Sequence, residues 1–332
     1  MPVRILPIVV ALALVSAPTS LSAAPPVRVI FDTDMDSDCD DPAALAMLHA
    51  LADRGEAVIL ATIASSRTEG SAECIDAINA YFKRPDLPVG APTGKSVNQK
   101  SKYATTIARE FKSRLLDGNK PLEDAVDIYV RVLKGEPDAS VVIVTVGDLT
   151  NLANILRRPE GPALVKQKVK NWFCMGGNFV GKPAHDDLKL SNNNFTLDSE
   201  STEYAVRNWP GPITFVGREI GSVPSGLKAG RGLDKLPKSN PVRRAYELYF
   251  DGRIQDRHIA DQTAVLAAVR GLGDWWDAET KGYMDLQPNC TFTWKYDQDR
   301  GHAYLLKKPV DTEKTDRRIE LMVEELMGYE PK

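Results

Sequence analysis

The most chemically loaded stretch of the chain is Phe31-Asp32-Thr33-Asp34-Met35-Asp36-Ser37-Asp38-Cys39-Asp40-Asp41, in which aspartates alternate and then close in a pair. Carboxylates packed this closely repel one another unless a cation or a proton relieves them. A donor set made only of oxygen favours a hard ion, calcium or magnesium, and calcium tolerates the irregular geometry of a loop. Two other uses of similar letters were weighed. An EF-hand counted from Asp32 needs glycine at its sixth position and glutamate at its twelfth, where this chain has Ser37 and Ala43. A haloacid-dehalogenase-type phosphatase also opens with a buried strand and Asp-x-Asp and could claim Gly147-Asp148, but it leaves Asp40-Asp41 unexplained.

These residues need a scaffold, and the flanking pattern supplies one. Val27–Phe31 reads as a strand running into the acidic loop. Pro42–Ala52 reads as a helix with Asp41 as its N-cap and Gly55 past its end. Further strands are expected at Ala57–Ile63, Val141–Val146, Trp172–Met175 and Ile213–Val216. Helices are expected at Ser71–Phe82, Thr150–Arg157, Ser199–Asn208, Pro241–Phe250 and Asp261–Arg270. Short strand-like pieces follow between Gly282 and Leu306, then a closing helix over Asp311–Met327. Strands separated by helices imply an α/β fold, an open and mostly parallel sheet flanked by helices. Such sheets bind ligands beyond the carboxyl ends of their strands, so the loops after Phe31, Ile63, Val146, Met175 and Val216 should gather at one end.

Composition narrows the field. The chain has 332 residues, with 42 basic against 45 acidic, and its pI is about 5.9, which gives no electrostatic footprint for nucleic acid. Four cysteines, with no CxxC, make neither a disulfide scaffold nor a zinc site. Arg4, the apolar run Ile5–Val15 and the small residues ending Ser22-Ala23-Ala24 form the pattern of a secretory signal peptide. Residues 1–24 are therefore read as a signal peptide and 25–332 as one α/β domain, exported to the periplasm or secreted, with no membrane attachment after cleavage.

Asp32-Thr33-Asp34 followed by Asp40-Asp41-Pro42-Ala43 resembles the signature of the inosine-uridine nucleoside hydrolase family. Other matches follow in family order: Val142–Ala153 with its Leu149-Thr150-Asn151, then Met175-Gly176-Gly177, then Asn194 with Asp198-Ser199-Glu200, then Asp261. The resemblance implies a calcium-dependent enzyme that cleaves the N-glycosidic bond of a ribonucleoside or related riboside, with possible homo-oligomers. Carried over by position, Asp34, Asp41, Asp261 and the Val146 carbonyl would hold calcium, magnesium being the lesser candidate. Asp34 would take the proton of the attacking water. Asp40 and Asn194 would hold ribose hydroxyls, with Met175, Asn178 and Asn192 also at the substrate.

The chain also departs from the pattern. Its acidic loop is longer than the commonest form, so that Asp36 and Asp38 are extra, and Ser66 stands where the family has asparagine. Asn192 replaces the acid that usually contacts ribose. Ala260 stands where purine-acting members place a histidine as leaving-group acid. His258, two residues earlier, would point elsewhere if it lay in the first turn of a helix. These losses keep a second reading open, a calcium- and ribose-binding protein that has lost turnover. His185-Asp186-Asp187 is read as a surface turn, His49 and His302 as structural, Trp275, Trp276 and Trp294 as core or subunit contacts, and Cys39 as unreactive.

Overall fold

The computed structural model describes residues 24–187, 192–223, 225–309 and 311–331. The apolar N-terminal run read as a signal peptide lies outside the described residues. Nine strands form the central sheet, in the order Trp276–Glu279, His302–Lys307, Ile213–Val216, Val169–Met175, Val141–Thr145, Val27–Thr33, Ala57–Ala64, Val89–Ala91, Glu123–Asp124. Every neighbouring pair is parallel except the edge strand Trp276–Glu279, which runs antiparallel to His302–Lys307.

Strands buried on both faces need apolar residues in succession, and that is how these read. Val29 and Phe31 face one apolar cluster while Ile30, between them, faces the other. Val142 and Val144 likewise oppose Val141 and Ile143. Helices Asp40–Asp53, Ser71–Tyr81 and Ala260–Arg270 cover the first face. Ala125–Gly135, Thr150–Arg157 and Ser199–Asn208 cover the second. Because the central strands are parallel, the loops after Thr33, Ala64, Thr145, Met175 and Val216 all leave from the same end, as expected.

Two small antiparallel sheets sit outside this frame. One joins Tyr283–Leu286, Phe292–Lys295, His185–Asp186 and Phe179–Val180; the other pairs Lys228–Ala229 with Arg257–His258. The first corrects the reading of His185-Asp186-Asp187 as a turn, since His185 pairs with Val180 and Thr293 in strands. Trp276 and Trp294 are fully buried and Trp275 nearly so, which makes them core residues. His49 and His302 are buried too. Among the described residues no helix is long and apolar enough to cross a membrane.

Candidate active site

The acidic loop is held from both sides of the strand that feeds it. Val146 donates its backbone N–H to the Asp32 carbonyl at 2.8 Å, and Ser65 donates to the Thr33 carbonyl at 2.9 Å. The Asp32 side chain points away into the core, where Tyr129 Oη donates to it at 2.7 Å and Asn151 Nδ2 at 3.1 Å. Met35 takes a left-handed conformation, φ 51°, and turns the chain so that Asp34 and Asp36 both line a single cleft. Ser71 Oγ fixes the turn by donating to the Asp34 carbonyl at 2.7 Å.

Asp41 does not cap its helix. The helix begins at Asp40, no side chain caps it, and Asp41 instead accepts from Thr33 Oγ1 and, at 3.4 Å, from the Met35 N–H. Bonds to the loop rather than to its own helix turn the carboxylate toward the cleft. There its oxygens and those of Asp40 and Asp261 lie within 4.8 Å of one another. Asp261 comes from the first turn of the Ala260–Arg270 helix, more than two hundred residues away in sequence.

The electrostatics follow from this crowding. Burial, then the charges of Asp41 and Asp36, push the Asp34 carboxyl well above the usual carboxylate range. Burial and Asp40 do the same to Asp41. Burial and then Asp40, Asp41 and Asp34 do so to Asp261. Asp40 is raised to about 7 by burial and by Asp38. Asp36 is only 2% exposed and one of its oxygens has no partner. Such a cluster is a poor place for protons and negative charge alone, and an all-oxygen donor set fits a hard divalent cation.

The other expected residues are placed as follows. The cleft is lined by Val146, Met175, Asn192 and Asn194 together with the acids. Asn194 Nδ2 donates to the Val146 carbonyl at 2.9 Å and to the Met175 carbonyl at 3.1 Å. Asn192 Oδ1 accepts from the Gly177 N–H at 3.1 Å, and its amide nitrogen is buried without a partner. Asn178 does not line the cleft. It is 1% exposed, beside Asp186 in the floor of the loop that follows Met175, and cannot reach a substrate from there. Gly147 is required by contact: a Cβ on it would lie 2.4 Å from Ser65 Oγ and 2.8 Å from the Asp34 nitrogen.

His258 corrects the sequence reading most sharply. It lies in the short extended pair with Lys228, not in the helix, so its side chain lines the cleft. Its Nε2 is 3.0 Å from Asp38 Oδ2 and 3.6 Å from Asp40 Oδ2. Arg257 grips the same Asp38 through Nε at 2.8 Å and through Nη2. Burial favours the neutral imidazole, but Asp40 and Asp38 outweigh it and raise the pKa of His258. Burial also works against the Asp38 carboxylate, yet His258 and Arg257 together hold its pKa below the ordinary value. Asp36 and Asp38 are thus parts of the site. Arg257, Arg218, Ser37 and Ser222 line the cleft as well. The sequence singled out none of these four, although reading Arg257-His258 as extended would have turned one of the two inward. Cys39 is fully buried, and burial ahead of the neighbouring acids raises its thiol pKa, so it is no nucleophile. Asp148 does not line the cleft; it accepts from Ser65 Oγ and the Thr150 N–H, which removes the anchor of the phosphatase reading.

No curated protein matches the chain by sequence. Solved structures do match by fold. The Inosine-Guanosine Nucleoside Hydrolase (IG-NH) is 18% identical, with 90% of this chain and 98% of that one covered and a TM-score of 0.65. The purine-preferring ribonucleoside hydrolase from Gardnerella vaginalis is 15% identical, with 91% and 99% covered and a TM-score of 0.64. The type III effector protein XopQ, complexed with adenosine diphosphate ribose, is 14% identical, with 91% and 94% covered and a TM-score of 0.64. Identities this low establish the fold. The inosine-uridine preferring nucleoside hydrolase family itself matches residues 29–325, nearly the whole described chain. With its acids gathered at the carboxyl ends of a parallel sheet, the chain belongs to the inosine-uridine preferring nucleoside hydrolase family, a family of N-glycosyl hydrolases.

Proposed function

We propose that this protein is a calcium-dependent ribohydrolase that cleaves the N-glycosidic bond of a ribonucleoside or related riboside. The observation that carries the reading is the convergence of Asp40, Asp41 and Asp261 within 4.8 Å, beside Asp34, in one cleft. Asp34, Asp41 and Asp261, with the carbonyl of Val146, would hold the ion. When bound, calcium acidifies water and orients it toward the anomeric carbon. Asp34 accepts the proton of the attacking water. Asp40 and Asn194 orient the ribose through its hydroxyls. The carboxylates around C1′ stabilise the positive charge that develops there as the bond to the aglycone breaks.

Ala260, at the position where the resemblance places a leaving-group acid, favours a second reading, a calcium- and ribose-binding protein without turnover. One screen decides. Purified protein with calcium is given p-nitrophenyl riboside, natural nucleosides and p-nitrophenyl phosphate. Calcium-dependent release of ribose is the expected result. Tight ribose binding without release would establish the second reading, and phosphate release would overturn both.

A further inference from the structure

A nucleobase is most readily held by stacking, which contributes roughly 1–3 kcal/mol per base on an aromatic side chain. This cleft has no such platform. None of its lining residues is Phe, Tyr or Trp. The residues outside the described set, 1–23, 188–191, 224, 310 and 332, contain no aromatic residue either. The cleft is also small, about 230 Å³, below the roughly 300–1,000 Å³ of sites that take drug-sized ligands. Where an apolar shelf would be needed, it offers Arg218, Arg257, Ser37 and Ser222. A guanidinium cannot act as a proton donor near neutrality, but its planar fork reads carboxylates and other oxyanions. Arg257 is already engaged by Asp38, which leaves Arg218 as the guanidinium whose neighbours in the cleft include Ser222 at the end of its own turn.

We propose that the cleft selects compact ribosides whose aglycone carries a negative charge, a carboxylate or similar oxyanion, read by Arg218 with Ser222 beside it, in place of a stacked neutral base. The proposal rests on the ribohydrolase reading and names its substrate class. For a pyridinium riboside the step balances without an acid. The oxygen of water bonds to C1′, the C1′–N bond breaks, and its electron pair returns to the ring nitrogen, which leaves uncharged. One proton of the water passes to Asp34 and then to solvent.

The test uses nicotinate riboside and nicotinamide riboside, which share ring and bond and differ in carboxylate against carboxamide. The calcium-loaded full chain should show kcat/KM at least about tenfold higher for nicotinate riboside. Arg218→Gln should bring that ratio to within about threefold of one, and Arg218→Lys should keep most of it. A ratio of one or below, or a ratio that Arg218→Gln leaves unchanged, overturns the proposal. Inosine and inosine 5′-phosphate form the second arm. A preference for the phosphate without one for nicotinate riboside would put the oxyanion on the sugar and also overturn it. p-Nitrophenyl riboside separates the two levels of argument, since its turnover supports the ribohydrolase reading whatever the nicotinate ratio. If no riboside is hydrolysed, that reading fails, and the ratio of dissociation constants for the two pyridinium ribosides, measured by calorimetry, decides the selectivity by the same tenfold criterion.

Discussion

Calcium should reverse the pH dependence of stability, and the structure fixes the sign. Asp34, Asp41 and Asp261 have pKa values raised well above the ordinary one in the calcium-free fold, and that of Asp40 is raised to about 7. A carboxyl whose pKa is higher folded than unfolded stabilises the fold at low pH. It loses that contribution as pH rises through the folded value. Between pH 6.5 and 8 the unfolded chain has these carboxyls ionised while the calcium-free fold retains protons on them. Each retained proton costs about 1.4 kcal/mol per pH unit, so even one gives about 2 kcal/mol across this window. His49 and His302, lowered to about 3, change protonation on unfolding only below about pH 6.5 and do not interfere. Asp32 and Glu219, both raised to about 8 chiefly by burial, carry the same sign and persist with calcium, so the informative quantity is the difference between the two curves.

The assay is thermal and denaturant unfolding in chelator and in calcium at pH 6.5, 7.25 and 8. It is paired with titration calorimetry of calcium in buffers of different ionisation enthalpy. Calcium-free protein should lose about 2 kcal/mol or more across the window, and calcium should remove most of that slope. Calcium binding at pH 7 should release at least about one proton, because the ligands must be ionised to bind. A calcium-free stability that is flat or rises with pH, together with no proton release, would show that these carboxylates are not crowded as described and would refute the cation assignment.

Four further outcomes follow from named contacts. Gly147→Ala places a Cβ 2.4 Å from Ser65 Oγ and 2.9 Å from the Asp34 Cβ; it should cost about 1–3 kcal/mol in denaturant unfolding and weaken calcium binding in calorimetry. Asp36→Ala should weaken calcium binding measurably, because this acid is buried in the cleft; full affinity would show it to be a bystander. Arg257→Gln leaves Asp38 with His258 as its remaining charged partner and should lower stability by about 1–3 kcal/mol at pH 8, where the imidazole is less protonated, and by less at pH 6. With Ala260 at the acid's place, kcat/KM for p-nitrophenyl riboside should exceed that for inosine by about 10² or more. Equal values would show that another group, His258 first, already supplies the proton.

Much of this was legible in the sequence, and the exceptions share a cause. Helices Thr150–Arg157 and Ser199–Asn208 and strand Ile213–Val216 fall where periodicity and flanking residues place them. The helices Ala104–Glu110 and Gly161–Lys168 were not anticipated, the first being one of the shortest in the chain and the second weakly amphipathic. Neither carries a periodic signal that a sequence reading could use. Within the site, residues on strand ends and first helical turns were found because local rules position them. Those that depend on a distant partner were misread. Asp41 was assigned to its own helix because an aspartate before proline usually caps, but the Thr33 hydroxyl and Met35 N–H offer it bonds on the cleft side. Asn178 was read as a substrate contact, and only the packing against Asp186 shows it buried instead.

The two departures that look separate in the sequence, a longer acidic loop and the missing histidine, meet at one point in space. Asp38 exists because the loop is longer, and it is the residue that Arg257 and His258 hold. Those two lie in the extended pair with Lys228–Ala229 that leads into the Ala260–Arg270 helix. Just after that pair, the Ile259 N–H donates to the Gly221 carbonyl at 2.8 Å, and a Cβ on Gly221 would lie 2.8 Å from the Ala260 Cα. The backbone at Ala260 is therefore pressed against the Arg218–Gly221 turn, and the imidazole in the cleft comes from two residues upstream with Asp38 to orient it. The same turn carries Arg218 into the cleft. An imidazole restored at 260 would thus enter a wall already occupied by His258, Arg257 and Arg218. Ala260→His should give less activity on inosine than a general acid normally contributes unless Asp38 is also removed. The loop and the leaving-group wall have to be changed together.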